Sequence, residues 1–267
     1  MNARSAPGTE LSDIIALPTH ALRDPDFRNE SKATLDRDGV LIIEKFLTPA
    51  AIASIKADGH AHADLAYYTA NNHNIYLEPP DPAFAPDHPR NRTVASSKGC
   101  ITTDQIPAGS LLHTLYGARE FRDFLCAVLD EPELHEYADP LSSINLHYAS
   151  AGQELGWHFD NSAFAITLLI EKPLGGGSFE YVKDLRDADA GEMNYDAAAR
   201  VLDGQVASTT LRMDPGALVL FRGRNSIHRV TPTEGNITRM LVVLAYNTEP
   251  GVSLSESARM TFFGRLG

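Results

Sequence analysis

The sequence lacks the features that mark nucleic-acid-binding, membrane and secreted proteins. Its 267 residues include 23 lysines and arginines against 35 aspartates and glutamates, giving a net charge of −12. We therefore expect no nucleic-acid partner, because nothing in the chain forms a basic surface for a phosphate backbone. No apolar stretch is long enough to cross a bilayer, and residues 1–30 lack the basic start and apolar segment of a signal peptide. We predict a soluble, cytoplasmic protein with no membrane contact.

Cysteine is also scarce, with only Cys100 and Cys126 present. The two cysteines lack the CxxC spacing of zinc and redox motifs, and Cys126 lies in the helix-like segment EFRDFLCAVLD. We expect no disulfide, no zinc site and a buried free thiol at Cys126.

What is present indicates one domain with a sizeable core, since 43% of the residues are hydrophobic. We predict a single domain over residues 1–267. It would consist of an N-terminal extension over about residues 1–30, a helical support and loop region over about 31–135, and a β-sandwich core over about 142–250.

The first half of the chain reads as helical with one long loop. A short β-rich run from Val40 to Phe46 precedes Thr48 and Pro49, which are typical of a helix N-cap and first turn. Two further helices are predicted around residues 109–116 and 118–129. The proline-rich segment 71–92 predicts an irregular loop, which is long enough to act as a lid or to face a substrate.

The second half changes to short β-like runs separated by turn residues. Such spacing is typical of an antiparallel sandwich or barrel, interrupted here by a helical insert around residues 194–202. We therefore predict an α+β fold with N-terminal helices packed on one sheet. The runs are SINLHYA, LGWHFD, FAITLLIE, GSFEYV, ALVLFRG, SIHRVTP and TRMLVVLAYN.

The run LGWHFD contains a candidate metal-binding pair, His158 and Asp160. Side chains two residues apart in a strand share a face, so this imidazole and carboxylate can meet at one ion. The only later histidine is His228, in another predicted strand. Two imidazoles and one carboxylate leave three metal positions open, as in non-haem Fe(II) oxygenases, whereas a structural zinc site is closed by four ligands.

A second HxD pattern, His62 and Asp64, serves as a control. It continues the helix that begins at Pro49, where side chains two apart diverge, so we predict a solvated helix face.

Arg239 opens the apolar strand MLVVLAY, and two interpretations of it remain open. It is either a surface residue whose charged head reaches solvent or a bidentate ligand for a carboxylate. The second interpretation suits a dicarboxylate cosubstrate.

The order of NLHY, HFD, IHRVTP and TRMLVV resembles the Fe(II)- and 2-oxoglutarate-dependent dioxygenases with a double-stranded β-helix fold, also described as jelly-roll or cupin-like. The segments GWHFDNSAFAITLLIEKPLGGGSFEYV and AYNTEPG are similar to a small group of free-amino-acid hydroxylases and radical halogenases. The resemblance implies Fe(II), 2-oxoglutarate and O₂, with iron held by His158, Asp160 and His228 and 2-oxoglutarate by Arg239. Tyr148 and Asn145 would be further cosubstrate contacts. Halogenases of this group have glycine where this chain has Asp160, so the resemblance implies hydroxylation.

Other residues have weaker indications. Arg92, in the long loop, could hold a substrate carboxylate or be a solvated arginine. Asn247 and Thr248 are substrate contacts by group resemblance. Trp157 should face away from the metal by strand alternation, and GGG at 175–177 predicts a hairpin turn rather than a phosphate site.

These observations predict a hydroxylase that inserts oxygen into a C–H bond of a small polar molecule, specifically a free amino acid, with formation of succinate and CO₂. Alternatives are desaturation, cyclisation or halogenation with the same cofactors on a natural product or peptide, and zinc-dependent hydrolysis. A cupin-like binding protein without turnover is the non-enzyme alternative. The sequence leaves a homodimer open and does not identify the substrate.

Overall fold

The computed structural model describes residues 9–267, which contain seven α-helices and three short 3₁₀ helices. The 3₁₀ helices are Thr19–Arg23, Ala63–Leu65 and Thr103–Gln105. The α-helices are α1 Leu11–Ile14, α2 Pro25–Asp38, α3 Pro49–Ala61, α4 Leu111–Gly117, α5 Arg119–Leu129, α6 Tyr195–Leu202 and α7 Glu256–Phe263.

Thirteen strands lie within the same residues, and each of the seven predicted β-like runs contains one of them. The strands are β1 Val40–Ile43, β2 Tyr67–Asn74, β3 Thr93–Ile101, β4 Ile144–Ala149, β5 Leu155–His158, β6 Ala165–Glu171, β7 Gly175–Gly176, β8 Phe179–Val182, β9 Thr209–Thr210, β10 Leu218–Phe221, β11 Ile227–Val230, β12 Thr233–Glu234 and β13 Arg239–Leu244.

Eleven of these strands form one curled antiparallel sheet. Its order is β1, β10, β6, β13, β4, β3, β5, β11, β8 and β9, with β2 paired to β3 outside this path. The sheet turns between β3 and β5, which share a single pair, Ser96 with Leu155. Gly175 and Gly176 pair with Thr233 and Glu234 in a separate two-stranded sheet. Strands from both sides of the turn face a common interior.

The N-terminal helices cover the outer face of the first half of the sheet, as predicted, and supply the largest apolar cluster. Helix α3 can pack closely on strands β4 and β13 because it has glycine at position 59. A Cβ there would be 2.6 Å from Met240 Sδ and 2.8 Å from Leu146 Cδ2. The predicted cap is present, since Ala51 N–H donates to Thr48 Oγ1 at 3.1 Å.

Several sequence predictions are changed in detail. The irregular loop begins at Ile75, because residues 71–74 belong to β2. Helix α3 ends at Ala61, so His62 and Asp64 lie at its end and in the following 3₁₀ helix. Both cysteines are free, but Cys126 is half-buried and Cys100 is the buried one. None of the described helices has the length and apolar character needed to span a membrane.

The loop over residues 75–92 is held together by the side chain of Asn91. Its amide nitrogen donates to the carbonyls of Asp81 and Phe84 at 2.8 and 2.9 Å, and its amide oxygen accepts from Asp81 N–H at 2.7 Å. These bonds replace the missing sheet ladder, so the loop has a defined shape. A lid function for it stays a prediction.

Candidate metal centre and adjoining cavity

His158, Asp160 and His228 come together inside the curled sheet. One ligand atom from each lies within 4.8 Å of the other two. Asp160 Oδ1 is 3.7 Å from His158 Nε2 and 3.5 Å from His228 Nε2. His228 is buried, while the other two side chains retain a small accessible area. The sequence-predicted trio is therefore one cluster.

Strand pairing brings the two histidines together, since His158 on β5 is the register partner of His228 on β11. Asp160 lies just beyond the end of β5, and its N–H donates to Gly223 O at 3.1 Å. The side-chain alternation of the strand thus continues to Asp160, although its backbone partner is a loop. A Cβ on Gly223 would lie 1.9 Å from Asp160 Oδ2, so only glycine leaves room for this carboxylate.

Backbone carbonyls fix both imidazoles in one orientation. His158 Nδ1–H donates to Gly156 O at 2.8 Å, and His228 Nδ1–H donates to Ser226 O at 3.0 Å. Each ring therefore presents the lone pair of Nε2 toward Asp160, as metal-binding histidines do. Burial, followed by the proximity of His228, lowers the pKa of His158 below its ordinary value, so this ligand is neutral at pH 7.

This donor set fits Fe(II). Burial acts to raise the pKa of Asp160, but the neighbouring His228 and His158 hold it below the usual carboxyl range, so this carboxyl is ionised at neutral pH. Two imidazoles and one carboxylate on one side of an ion form the facial arrangement of non-haem iron sites and leave three positions for other ligands. None of the other described residues forms a comparable cluster.

Arg239 faces the same interior from the opposite part of the sheet. A cavity of about 210 Å³ is lined by the three candidate ligands, by Arg239 and by apolar side chains that include Phe179 and Phe221. Arg239 is only 6% exposed, and burial lowers its pKa to about 10. It is therefore still a cation at neutral pH. This favours the carboxylate-binding interpretation over a solvent-exposed arginine, because a buried cation needs an anionic partner.

A larger cleft of about 760 Å³ opens beside this cavity. His158, Leu155 and Lys98 line both spaces, so the cleft leads directly to the candidate metal. Its remaining walls come mostly from strand β2, the loop over residues 75–92 and helix α7, and amide and hydroxyl groups are frequent among them. They include Thr69, Asn71, Asn72, Asn74, Asn91, Thr93, Ser96, Asn161, Ser257 and Thr261.

The two weaker cosubstrate candidates on β4 are directed elsewhere. Tyr148 borders the cavity, but its hydroxyl donates to Gly59 O on helix α3 at 2.7 Å, within the core beneath the helices. Asn145 is buried, and its amide nitrogen donates to the carbonyls of Leu141 and Ile144 at 2.9 and 3.0 Å. Neither polar group is free to bind 2-oxoglutarate, so we do not assign these residues to the site.

The three candidate substrate contacts also lie outside both spaces. Arg92 pairs with Asp203, at the end of helix α6, with 2.5 Å between Nη1 and Oδ1. Asn247 exchanges backbone hydrogen bonds with His135, and Thr248 is exposed. Asn247 lies beyond the end of β13 at Leu244, whereas Val243 is the last residue of this strand that lines the cavity.

The sequence reasoning missed two nitrogen-bearing side chains of the cavity, those of Lys98 on β3 and His147 on β4. His147 could have been found by alternation. Ala149 pairs with Arg239 and shares its face of the sheet, and His147, two residues earlier on the same strand, has that face as well. Lys98 gives no such local signal, because its place depends on β3 pairing with a strand more than forty residues later. Trp157 does not line the cavity, in agreement with the prediction that it faces away from the metal, and it is buried with Ile75 and Phe159.

Comparison with solved structures identifies the fold as the jelly roll of 2-oxoglutarate and Fe(II) oxygenases, which confirms the predicted fold class. An oxidoreductase of the 2OG-Fe(II) oxygenase family from Burkholderia pseudomallei is 12% identical, with a TM-score of 0.55 over 85% of this chain and 93% of that one. The α-ketoglutarate-dependent carbocyclase SnoK from nogalamycin biosynthesis is 13% identical, with a TM-score of 0.58 over 86% and 89%. AviO1 from Streptomyces viridochromogenes is 17% identical, with a TM-score of 0.55 over 85% and 97%.

The fold and the facial donor set thus define a jelly-roll protein with a candidate iron site. Within this class, the model of the Halogenase D family matches residues 24–261, and the chain belongs to that family. No curated protein matches the chain.

Proposed function

We propose that the protein is a hydroxylase that uses Fe(II), 2-oxoglutarate and O₂ to convert a C–H bond of a small polar substrate into C–OH, releasing succinate and CO₂. The observation that carries this proposal is the carboxylate of Asp160, which lies 3.5 to 3.7 Å from both histidine Nε2 atoms. A protein carboxylate at this position occupies the place that a halide would need. Iron with three protein ligands and bound 2-oxoglutarate supplies the oxidation of the C–H bond.

The chain's own residues would bind the cosubstrate, orient it and exclude water from the cavity. Arg239 would hold one carboxylate of 2-oxoglutarate through its paired N–H groups, and this contact would neutralise the buried cation. Phe179, Phe221 and Val219 form an apolar wall around the triad. Such a wall limits water at the reacting carbon and protects it from side reactions.

A free amino acid is the substrate class we propose. The cleft beside the iron offers many amide and hydroxyl groups, which suit the ammonium, carboxylate and side-chain polar groups of such a molecule. Glu78 is the acidic residue in the cleft wall, and it is already paired with Arg90 at 2.8 Å. This pairing argues for a substrate whose side chain is not strongly cationic.

A screen of the common free amino acids tests the proposal. The protein is incubated with Fe(II), 2-oxoglutarate, O₂ and each amino acid in turn, and succinate and amino-acid products are measured by mass spectrometry. We expect at least one amino acid to gain a single oxygen atom with matching succinate formation. Absence of succinate with every substrate and no binding of 2-oxoglutarate would favour a cupin-like binding protein instead.

Halogenation is the second candidate, because the matching family is described by a halogenase. The two candidates are separated by Asp160→Gly in a buffer that contains chloride. Under our proposal the unmodified enzyme gives only hydroxylated product, and the variant loses most hydroxylation because iron has lost its anionic protein ligand. Full hydroxylation by the variant would show that Asp160 is not a ligand, and chlorinated product from the unmodified enzyme would favour the family's named activity.

A further inference from the structure

Lys98 lies where the inner cavity meets the outer cleft. It is in the middle of strand β3, and its side chain lines both spaces together with His158 and Leu155. Arg239, in contrast, lines the inner cavity alone. A cation at this junction is within reach of a ligand in either space.

The sheet register relates Lys98 to Arg239. Gly99 pairs with Tyr148, so Lys98 is level with the next residue of β4, Ala149. Ala149 pairs on its other side with Arg239. The two cations therefore flank the same residue from neighbouring strands, and two strand spacings place their Cα atoms about 9.5 Å apart. Both side chains point into the interior.

His147 positions the Lys98 ammonium from the same face. Nζ of Lys98 donates to Nδ1 of His147 at 3.2 Å. Burial, reinforced by the charges of Lys98 and Arg239, lowers the pKa of His147 well below its ordinary value. This imidazole is therefore neutral and accepts the bond. It orients the ammonium without cancelling its charge.

Lys98 lacks a carboxylate partner within the described part of the chain. Its hydrogen bond there is to His147, and the salt bridges of residues 9–267 do not involve it. Two acidic residues line the inner cavity, Asp160 and Glu154. The charge of Asp160 acts on Lys98 from a distance, but this carboxylate belongs to the metal triad, and Glu154 forms no salt bridge with either cation. Burial lowers the pKa of the Lys98 ammonium, so this enclosed cation favours an anion supplied by a ligand.

We propose that Lys98 is a carboxylate-binding residue of this site, additional to Arg239 and oriented by His147. This proposal rests on the proposed function, because it assumes that carboxylate ligands bind beside the iron. Two ligands carry that group, namely 2-oxoglutarate in the inner cavity and the amino-acid substrate in the outer cleft. Lys98 binds a carboxylate of one of them.

The test uses the full chain loaded with Fe(II) under anaerobic conditions, so that binding is measured without turnover. Four proteins are compared: the unmodified enzyme, Lys98→Met, Lys98→Arg and Lys172→Met. The methionine variant keeps most of the side-chain volume and removes the charge, whereas the arginine variant keeps the charge. Lys172 is the matched control, because it is a surface lysine paired with Asp214.

The first arm titrates 2-oxoglutarate calorimetrically. If Lys98 holds the cosubstrate, Lys98→Met weakens binding by about 10- to 100-fold, as expected for loss of a charge-assisted hydrogen bond. Lys98→Arg retains most of the affinity, and Lys172→Met is unchanged. This arm does not depend on a substrate, so weakened binding by Lys98→Met supports the assignment even if no amino acid is hydroxylated.

The second arm measures thermal stabilisation of the enzyme, saturated with 2-oxoglutarate, by each free amino acid and by its carboxamide. If Lys98 holds the substrate, the unmodified enzyme prefers the carboxylate form and Lys98→Met loses that preference. The proposal is overturned if Lys98→Met binds 2-oxoglutarate normally and shows either unchanged carboxylate preference or no preference to lose. Product formation by the unmodified enzyme in that case would leave the proposed function intact.

Stability distinguishes this role from a structural one. Removing an enclosed cation without an ionic partner relieves its desolvation, so ligand-free Lys98→Met should melt at the same temperature as the unmodified enzyme or higher. Weakened ligand binding combined with a clearly lower melting temperature would instead indicate a packing defect and overturn the assignment.

Discussion

At the scale of single residues, Gly223 is the position at the site where a larger residue fits least well. Gly223 is not a ligand, yet it accepts the backbone N–H of Asp160 and leaves the space that the carboxylate fills. Any Cβ at this position must displace Asp160 or the loop before β11. The geometry of the iron centre therefore depends on a residue that contributes no donor atom.

We expect Gly223→Ala to weaken Fe(II) binding by about 10- to 100-fold, the usual effect of disturbing groups that orient metal ligands. Anaerobic titration of Fe(II) measures this change. The control is Gly109→Ala, because a Cβ at Gly109 meets nothing within 4 Å. Unchanged Fe(II) affinity in Gly223→Ala would mean that Asp160 does not need its present position.

Arg239 provides the second residue-scale prediction. We expect Arg239→Met to weaken 2-oxoglutarate binding by about 10- to 100-fold, because a bidentate charge-assisted pair is lost. Fe(II) binding should be retained, since Arg239 is not part of the triad. Parallel calorimetric titrations of the two ligands check this split, with the exposed Arg119→Met as control. Equal losses of both affinities would point to general damage of the cavity.

At the scale of elements, helix α7 forms part of the cleft wall, and one ionic contact fastens the chain just after it. Arg265 donates to Asp104 at 2.6 and 2.8 Å and also to Thr102. Burial acts to raise the pKa of Asp104, but hydrogen bonds from Arg265 and Thr102 hold it below the ordinary carboxyl value. The tether therefore contributes fully above the unfolded-state pKa of about 3.9 and is lost as pH falls through the lower folded-state value.

We expect Asp104→Asn to increase amide exchange in residues 256–263 at pH 7, where the unmodified protein is protected. The difference between the two proteins should disappear in strong acid, below the folded-state pKa, because the unmodified tether is then also lost. Hydrogen exchange read by mass spectrometry measures both effects. Equal exchange rates at pH 7 would show that other contacts hold α7 in place.

Helix α3 supports the sheet beneath Arg239, and its start depends on Thr48. The Thr48 hydroxyl accepts from Ala51 N–H and donates to Asp13 O at 3.0 Å. Thr48→Ala should lower the free energy of unfolding by about 1 kcal/mol. For a chain of this size, that corresponds to a melting temperature about 2–4 °C lower. Thr48→Ser keeps the hydroxyl and should recover most of the loss, which a purely steric effect would not allow.

Strand alternation explains both the success and the failure of the sequence reasoning at the site. It correctly groups His158 with Asp160, because the spacing of two fixes their common face whatever lies around the strand. It could not tell that Tyr148 faces helix α3 and His147 the cavity, since one strand does not reveal which of its faces the helices cover. The place of Lys98 in the cavity could not be predicted for a related reason, because only long-range pairing brings β3 beside β4.

At the scale of the whole molecule, the order of strands in the curled sheet differs from their order in the chain. Residues 98, 158, 228 and 239 are separated by as many as 141 positions, yet all of them line one cavity. A molecule with a net charge of −12 thus encloses two cations, Arg239 and Lys98, in one cavity, where each can bind a carboxylate. This arrangement is the structural basis for proposing an oxygenase whose cosubstrate and substrate both carry a carboxylate.

The most direct test of hydroxylation is a reaction under isotopically labelled O₂ in a chloride buffer, with the amino acid that consumes most 2-oxoglutarate in the screen. Mass spectrometry follows the products. The account predicts one labelled oxygen in the amino-acid product, one in the succinate formed with it, and no chlorinated species. Chlorine in the product, or labelled succinate without an oxygenated amino acid, would contradict the account.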